Sequence, residues 1–338
     1  MTRKQKRFRS IVGISILSIL VALVGATLAF TITSDDLNPT GAGSDPYLIV
    51  NGATAPAYPK RVEYGVQSGV DNAGWTVINL AYSYASPVVI ATPSYTASEP
   101  SLATRIRNAS ATSFEVRVDR TDGSAVTISG VNVHWLVVDA GTYTVAADGI
   151  KMEAATVTST VTDIKGSWVG EAQTYVNTYT APVVLGQVMT YNDVDWSSFW
   201  ASATDPKAPP DASVIRVGKH VGEDPDTARS NETVGYVVIE AGTGTFPRTE
   251  YETAVGLQEI KGWEDAPPYT YTHGVASATT VILSSAGMEN TDGNWPVLIE
   301  PSPVTGTDFD LVMQEDQEAD AEVKTGEITE EIAYIVFE

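Results

Sequence analysis

The sequence predicts an all-β protein: three tandem antiparallel β-sandwiches behind one N-terminal hydrophobic helix. Three observations predict it. The first is a pattern met three times. A strand of Pro/Thr-Val-Val/Ile type (Pro87-Val88-Val89-Ile90-Ala91, Pro182-Val183-Val184-Leu185-Gly186, Thr280-Val281-Ile282-Leu283-Ser284) is followed by a closing apolar strand that ends in an acid (Trp135 to Asp139, Tyr236 to Glu240, Tyr334 to Glu338). The second is the spacing. Val88 to Val183 is 95 residues and Val183 to Val281 is 98, while Asp139 to Glu240 is 101 and Glu240 to Glu338 is 98. Two landmarks that recur in one order at one period mark tandem units rather than one large enzyme fold. The third is the texture between the landmarks: short alternating segments every ~8–12 residues with turn residues between them. No body segment combines a helical period with helix caps.

The elements follow in chain order. Thr2 to Ser10 is strongly basic, and Ile11 to Ile32 is apolar and uncharged. A positive segment followed by an apolar run directs export, and a run of ~20 residues is long enough to span a bilayer. Residues 1–33 are therefore expected to be a signal peptide or a transmembrane anchor, with residues 11–32 meeting the membrane if the segment is uncleaved. A pilin-like leader is disfavoured, because Gly13 lies inside the apolar run and no Glu follows it there. Residues 34–58, rich in Gly, Pro, Asn, Ser and Thr (Asn38-Pro39-Thr40-Gly41-Ala42-Gly43-Ser44), are expected to be a flexible linker. Three sandwiches follow over 59–147, 148–246 and 247–338. Phe114-Glu115-Val116-Arg117-Val118-Asp119 alternates as a half-buried strand should, and Val214 to Lys219 and Phe309 to Met313 stand at the equivalent place.

Composition narrows the chemistry. The chain carries a formal charge of -22 and no cysteine. It has no disulfide framework, thiol nucleophile or Cys metal site. An acidic body repels phosphate backbones, so nucleic acid is excluded as a partner. Glycans, cations and salty surroundings suit it. Enzyme signatures are sparse. There is no G-x-S-x-G elbow, H-E-x-x-H, P-loop or G-x-G-x-x-G, and the three histidines are His134, His220 and His273. The expectation is a protein without catalytic residues or a required cofactor.

Two kinds of loop carry candidate binding chemistry. Tyr191-Asn192-Asp193-Val194-Asp195-Trp196-Ser197-Ser198-Phe199-Trp200 combines aromatics with acids and an amide. Sugars stack their C–H faces on aromatic rings and hydrogen-bond through hydroxyls, so Tyr191, Asn192, Asp193, Asp195, Trp196 and Trp200 are candidate carbohydrate contacts. The competing role for Trp196 and Phe199 is to plug the sandwich end. Asn290, Asp292, Asn294 and Trp295 form the equivalent loop of the third repeat. The acidic turns with Glu223, Asp224 and Asp226, and with Glu315 and Asp316, are candidate Ca²⁺ ligands, because a hard cation takes ~6–8 oxygens. Neither turn follows the EF-hand spacing, and a solvated acidic turn is the competing role. Asn108-Ala109-Ser110 and Asn231-Glu232-Thr233 fit the N-glycosylation sequon.

The residues Gly74-Trp75-Thr76-Val77, Tyr84, Pro87-Val88-Val89, Arg105-Ile106-Arg107-Asn108, Phe114-Glu115-Val116-Arg117 and Trp135-Leu136-Val137-Val138 resemble the H-type lectin module. The second repeat resembles a bacterial extracellular version of that module through Val188 to Asp193, Trp196, Phe199-Trp200, Val217 to Asp226 and Asn231 to Tyr236. The third resembles it through Ala286-Gly287-Met288, Gly293 to Leu298 and Asp308 to Leu311 with Glu315-Asp316-Gln317. The resemblance covers about residues 60–338. It implies small six-stranded antiparallel sandwiches and galactose-type sugars bound at trimer edges. No sugar-contact residue matches one by one, so none is carried over. The expected function is a non-enzymatic extracellular or cell-surface protein binding glycans or other surface proteins, with a homo-oligomer (trimer or filament) as a further expectation. The alternative is a structural subunit of an extracellular filament, pilus or sheath, assembled through the N-terminal hydrophobic helix.

Overall fold

The computed structural model describes residues 61–96, 100–246, 249–319, 323 and 328–338, and the backbone of 21–23 and 26–28. The chain divides into two units, Met1–Pro59 and Lys60–Glu338. In the first, Val21–Leu23 and Ala26–Leu28 pair antiparallel, with Val21 opposite Leu28. A single helix was expected there. An apolar run by itself does not distinguish helix from strand, which is the physical reason for the difference. The rest of the expected helix, and the expected linker over 34–58, lie outside the described residues. No helix among the described residues is long and apolar enough to cross a membrane.

The second unit is all-β. Each repeat supplies an inner and an outer sheet. In the first repeat the inner sheet is β3 (Pro87–Tyr95), β6 (Val131–Asp139) and β1 (Val62–Val70). The outer sheet is β2 (Thr76–Asn79), β5 (Ser113–Arg120) and β4 (Leu102–Arg107). The second repeat has β11 (Pro182–Val188), β14 (Glu232–Glu240), β8 (Met152–Ser159) and β7 (Gly141–Tyr143) inside. Outside stand β10 (Glu171–Gln173), β13 (Ile215–His220) and β12 (Ser198–Ser202), with β9 (Thr162–Asp163) parallel to β13. The third has β18 (Thr280–Ala286), β21 (Ile332–Phe337), β16 (Glu250–Val255) and β15 (Gly242–Thr245) inside. Its outer strands are β17 (Tyr269–Thr272), β20 (Asp308–Gln314) and β19 (Trp295–Ile299).

The repeats do not stand apart. Parallel pairing joins β12 to β18, with Trp200 opposite Ser285, and joins β19 to β3, with Leu298 opposite Ser94. Sheets thus run from one repeat into the next. The link from the first repeat to the second is made by side chains: Thr104 Oγ1 donates to Gln187 Oε1 (3.2 Å), and Gln187 Nε2 donates to Thr104 O (3.1 Å). The contacts therefore close a threefold-like cycle, with β3, β11 and β18 meeting at its centre. An exposed row of backbone donors there would be costly. Side chains from other repeats take them: Thr92 Oγ1 accepts from Leu283 N (2.9 Å), Ser284 Oγ from Gly186 N (3.0 Å) and Met189 Sδ from Val89 N (3.5 Å).

Alternation along the closing strands explains how one strand serves two cores. Tyr236 and Val238 point into the sandwich of the second repeat, and Tyr334 and Val336 into that of the third. Val237, Ile239, Ile335 and Phe337 join Leu136 and Val138 in the shared central cluster. Gly235 lets Met189 reach that centre, since a Cβ there would lie 2.1 Å from Met189 Sδ and 3.0 Å from Val88 Cγ1. The register also corrects one alignment. Val88 faces Val138 and Val183 faces Ile239, but Phe337 faces Thr280. Thr280, not Val281, is the counterpart of Val88; the closing-strand pattern, whose alternation is fixed by two cores, sets the register.

Candidate functional site

A polar cleft of ≈ 320 Å³ opens where the first repeat meets the second. β5 supplies Arg117, Asp119 and Arg120, and the loop after it supplies Ser124. The loop between β11 and β12 supplies Val194, Asp195 and Trp196. Asp224 and Glu318, from the loops after β13 and β20, complete the wall.

A buried ion-pair network fixes this geometry. Arg105 is 1% exposed and donates to Asp119 Oδ2 (3.0 Å) and to Asp193 O (2.9 Å). Its guanidinium lies 4.6 Å from the Tyr191 ring, so a strand of the first repeat grips the loop of the second. Tyr191 also meets the edge of Trp75 at 5.0 Å, and Arg107 covers Trp75 at 4.2 Å. Arg117 pairs with Asp119 at 2.5 Å, and the fully buried Arg229 pairs with Asp224 at 2.6 Å. Arg105 and Asp119 are invisible as a site in the sequence, where their strands show only alternation.

Two donors at the cleft are unused. Trp196 Nε1 and Arg117 Nε are buried without a hydrogen-bond partner among the described residues. Asp195, Asp224 and Glu318 line the same cleft. Burial, and then the carboxylates of Asp224 and Asp195, raise the pKa of Glu318. The cleft thus presents arginines from the first repeat and carboxylates from all three. A hydroxyl both donates and accepts, so a polyol suits this mixture better than a simple ion does.

The structure divides the residues expected to bind sugar. Asp195 and Trp196 line the cleft, with Asn192 exposed and Tyr191 and Asp193 half-buried in the same loop. Asn192 Nδ2 donates to Asn231 O (2.8 Å), and Asp193 accepts from Ser230 N (2.6 Å). The tryptophans present no open ring face. Trp196 is 5% exposed, with its ring centroid 5.1 Å from that of Trp295. Trp200 is 1% exposed and donates to Asp163 Oδ2 (2.8 Å), and Trp295 is 4% exposed and donates to Leu102 O (2.9 Å). The competing role, plugging the sandwich ends, is where these rings sit. Asn290 and Asn294 are buried, bonding Glu315 and Glu330, and Asp292 pairs with Lys165 at 2.9 Å. These last residues belong to the seam between the second and third repeats. Trp168 and Asp316 fill that seam, Trp168 against Gly293 and Asp316 against Gly222.

The acidic turns are committed internally. Glu223 pairs with Lys165, and its N–H donates to Asp316 Oδ2 (2.6 Å). Burial pushes the Asp316 carboxyl up to about 6. Asp226 is exposed beside Arg229 at 3.9 Å, and Glu315 is buried against Asn290. Among the described residues, no group of three or more His, Asp or Glu side chains is placed to hold a metal ion.

Comparison with known proteins adds one likeness. Compared over 192 positions that cover 52% of this chain, the sequence is 31% identical to Halomucin from Haloquadratum walsbyi. The chain spans only 2% of that protein's length. No family model matches the sequence. No solved structure matches it either.

Proposed function

We propose that this chain is a non-enzymatic extracellular or cell-surface protein that binds carbohydrate, or the hydroxyl-rich surface of a partner, in the cleft between its first and second repeats. The observation that carries this reading is a cleft lined both by Trp196 and Arg117, whose Nε1 and Nε have no partner among the described residues, and by the carboxylates of Asp195, Asp224 and Glu318. The basic-then-apolar N-terminus and the stretch shared with Halomucin support a surface location. H-type-lectin-like ancestry would account for the sandwich repeats.

The test is a glycan array with the purified full-length chain, run with Ca²⁺ and with a chelator. The expected outcome is a specific sugar whose binding falls at least about tenfold, or ~1.4 kcal/mol, in Arg117→Ala and Asp195→Ala, with melting unchanged in Asp195→Ala. Loss of binding in chelator would assign Ca²⁺ a role. A blank array, or variants that bind normally, would sink the cleft.

One observation favours a second reading, a structural subunit of a filament or sheath. The outer edges of β8 and β16 are covered by β7 and β15, but β1 ends its sheet with no covering strand among the described residues. An open edge is a template for strand addition between subunits. Ordered polymers of the full-length chain in electron micrographs, beside a blank array, would favour this reading.

A further inference from the structure

The sequence carries two asparagines in N-x-Ser/Thr with x other than proline, Asn108 and Asn231; Asn38 is excluded because Pro39 follows it. The fold puts both on the surface. Asn108 is exposed at the tip of the β4–β5 hairpin, with φ 51° in the left-handed region that asparagine tolerates. Asn231 is exposed immediately ahead of β14. Only its main-chain oxygen is engaged, accepting from Asn192 Nδ2. The Asn108 side chain bonds only the Glu115 carboxylate across its own hairpin, whereas Asn177 spends its Nδ2 on Tyr143 O and Met152 O, and Asn290 and Asn294 are buried.

We infer that Asn108 and Asn231 are N-glycosylation sites, modified during export by transfer from a lipid-linked oligosaccharide. The Asn Nδ2 forms a bond to the anomeric carbon of the sugar. The C–O bond to the lipid-linked phosphate breaks, the lipid phosphate leaves with the bonding electrons, and one amide proton is lost. The exposed turns accept the product without disturbing either sandwich core. A glycan at Asn231 stands beside the loop of Asp193 and Asp195, because Ser230 N donates to Asp193 Oδ2. The inference does not rest on sugar binding by the cleft; a protein can carry glycans whether or not it binds them.

Trypsin separates the two sites. One peptide runs from Asn108 to Arg117 and another from Ser230 to Arg248, each with a single asparagine. The experiment is peptide mass spectrometry on the full-length chain exported by an N-glycosylating host. Both peptides should carry sugar-sized increments with asparagine-linked fragment ions. Ser110→Ala should abolish the first increment and leave the second, and Thr233→Ala the reverse. Ser110→Thr and Thr233→Ser should retain both. The site left intact in each variant reports that the chain was exported and folded. Recovery of both wild-type peptides in unmodified form only would overturn the inference, as would increments that survive loss of the hydroxyl.

Discussion

Trp196 and Trp200 separate chemistry-bearing residues from exposed ones. Trp196 stands in the loop between β11 and β12 and Trp200 on β12, in the segment expected to contact sugar, yet their rings are 5% and 1% exposed. Truncation to alanine should cost about 3–5 kcal/mol at each, visible in chemical denaturation. A variant with unchanged stability would place the ring outside the core. Two titrating groups should shape the pH profile in opposite directions. Burial lifts Asp316 to about 6, against about 3.9 in an unfolded chain. Its protonated form is the one the fold prefers, so this stabilisation is complete below about pH 4 and is lost as pH rises through about 6. Burial lowers His134 to about 4, and its Nδ1 accepts from Val281 N (3.2 Å) across a seam. That stabilisation is complete above about pH 6.5 and is lost as pH falls through about 4. Denaturation midpoints across this range should show a weaker first trend in Asp316→Asn and a weaker second in His134→Asn, which keeps a neutral acceptor, while Glu330 and His220 sustain the remainder of each. Profiles parallel to wild type would refute the assignments.

At the scale of elements, the acids that end the closing strands have a local task. Asp139 accepts from Ser86 N (2.8 Å) and Ala85 N (3.3 Å), and Glu240 from Ala181 N (2.7 Å) and Thr180 N (3.0 Å). They tie the turn that enters β3 or β11 to the end of the neighbouring strand. Alanine at either position leaves two backbone donors without their acceptor and should cost about 1–3 kcal/mol. Amide exchange at Ser86 or Ala181 should rise with it; unchanged exchange would mean that water or relaxation replaces the cap. Alternation made strands legible: Phe114, Val116 and Val118 are buried as their period-2 spacing requires. Asp119 broke the pattern because it is buried to serve Arg105 and Arg117, partners supplied by tertiary contact. A further stretch, Tyr47-Leu48-Ile49-Val50-Asn51-Gly52-Ala53-Thr54, resembles a closing strand. That stretch follows the order of Trp135 to Thr142 and Tyr236 to Thr243 inside a stretch expected to be linker. It lies outside the described residues.

For the second unit as a whole, sharing of sheets decides how it unfolds. β12 pairs with β18 and β19 with β3, so removing the third repeat strips edges from both others, and removing either of those strips an edge from the third. Calorimetry of the chain should therefore show the repeats melting in one transition, with calorimetric and van't Hoff enthalpies in agreement. Three resolved transitions would mean independent repeats. The charge of -22 opposes a compact state by self-repulsion, and salt screens it. The melting temperature should accordingly rise with ionic strength.

The sequence by itself determined the all-β class, because period-2 burial and turn chemistry are written in neighbouring residues, and it shows its landmark strands three times. It also singled out Tyr191 to Trp200 by residue type, as a segment that combines aromatics with acids and an amide. Only the tertiary structure decided which of them remain open. The cyclic closure depends on pairs far apart in the chain, such as Thr92 with Leu283 and Ser284 with Gly186. That closure turned the tryptophans inward and left Asp195 beside Arg117 and Arg120, residues whose nearness no local pattern encodes.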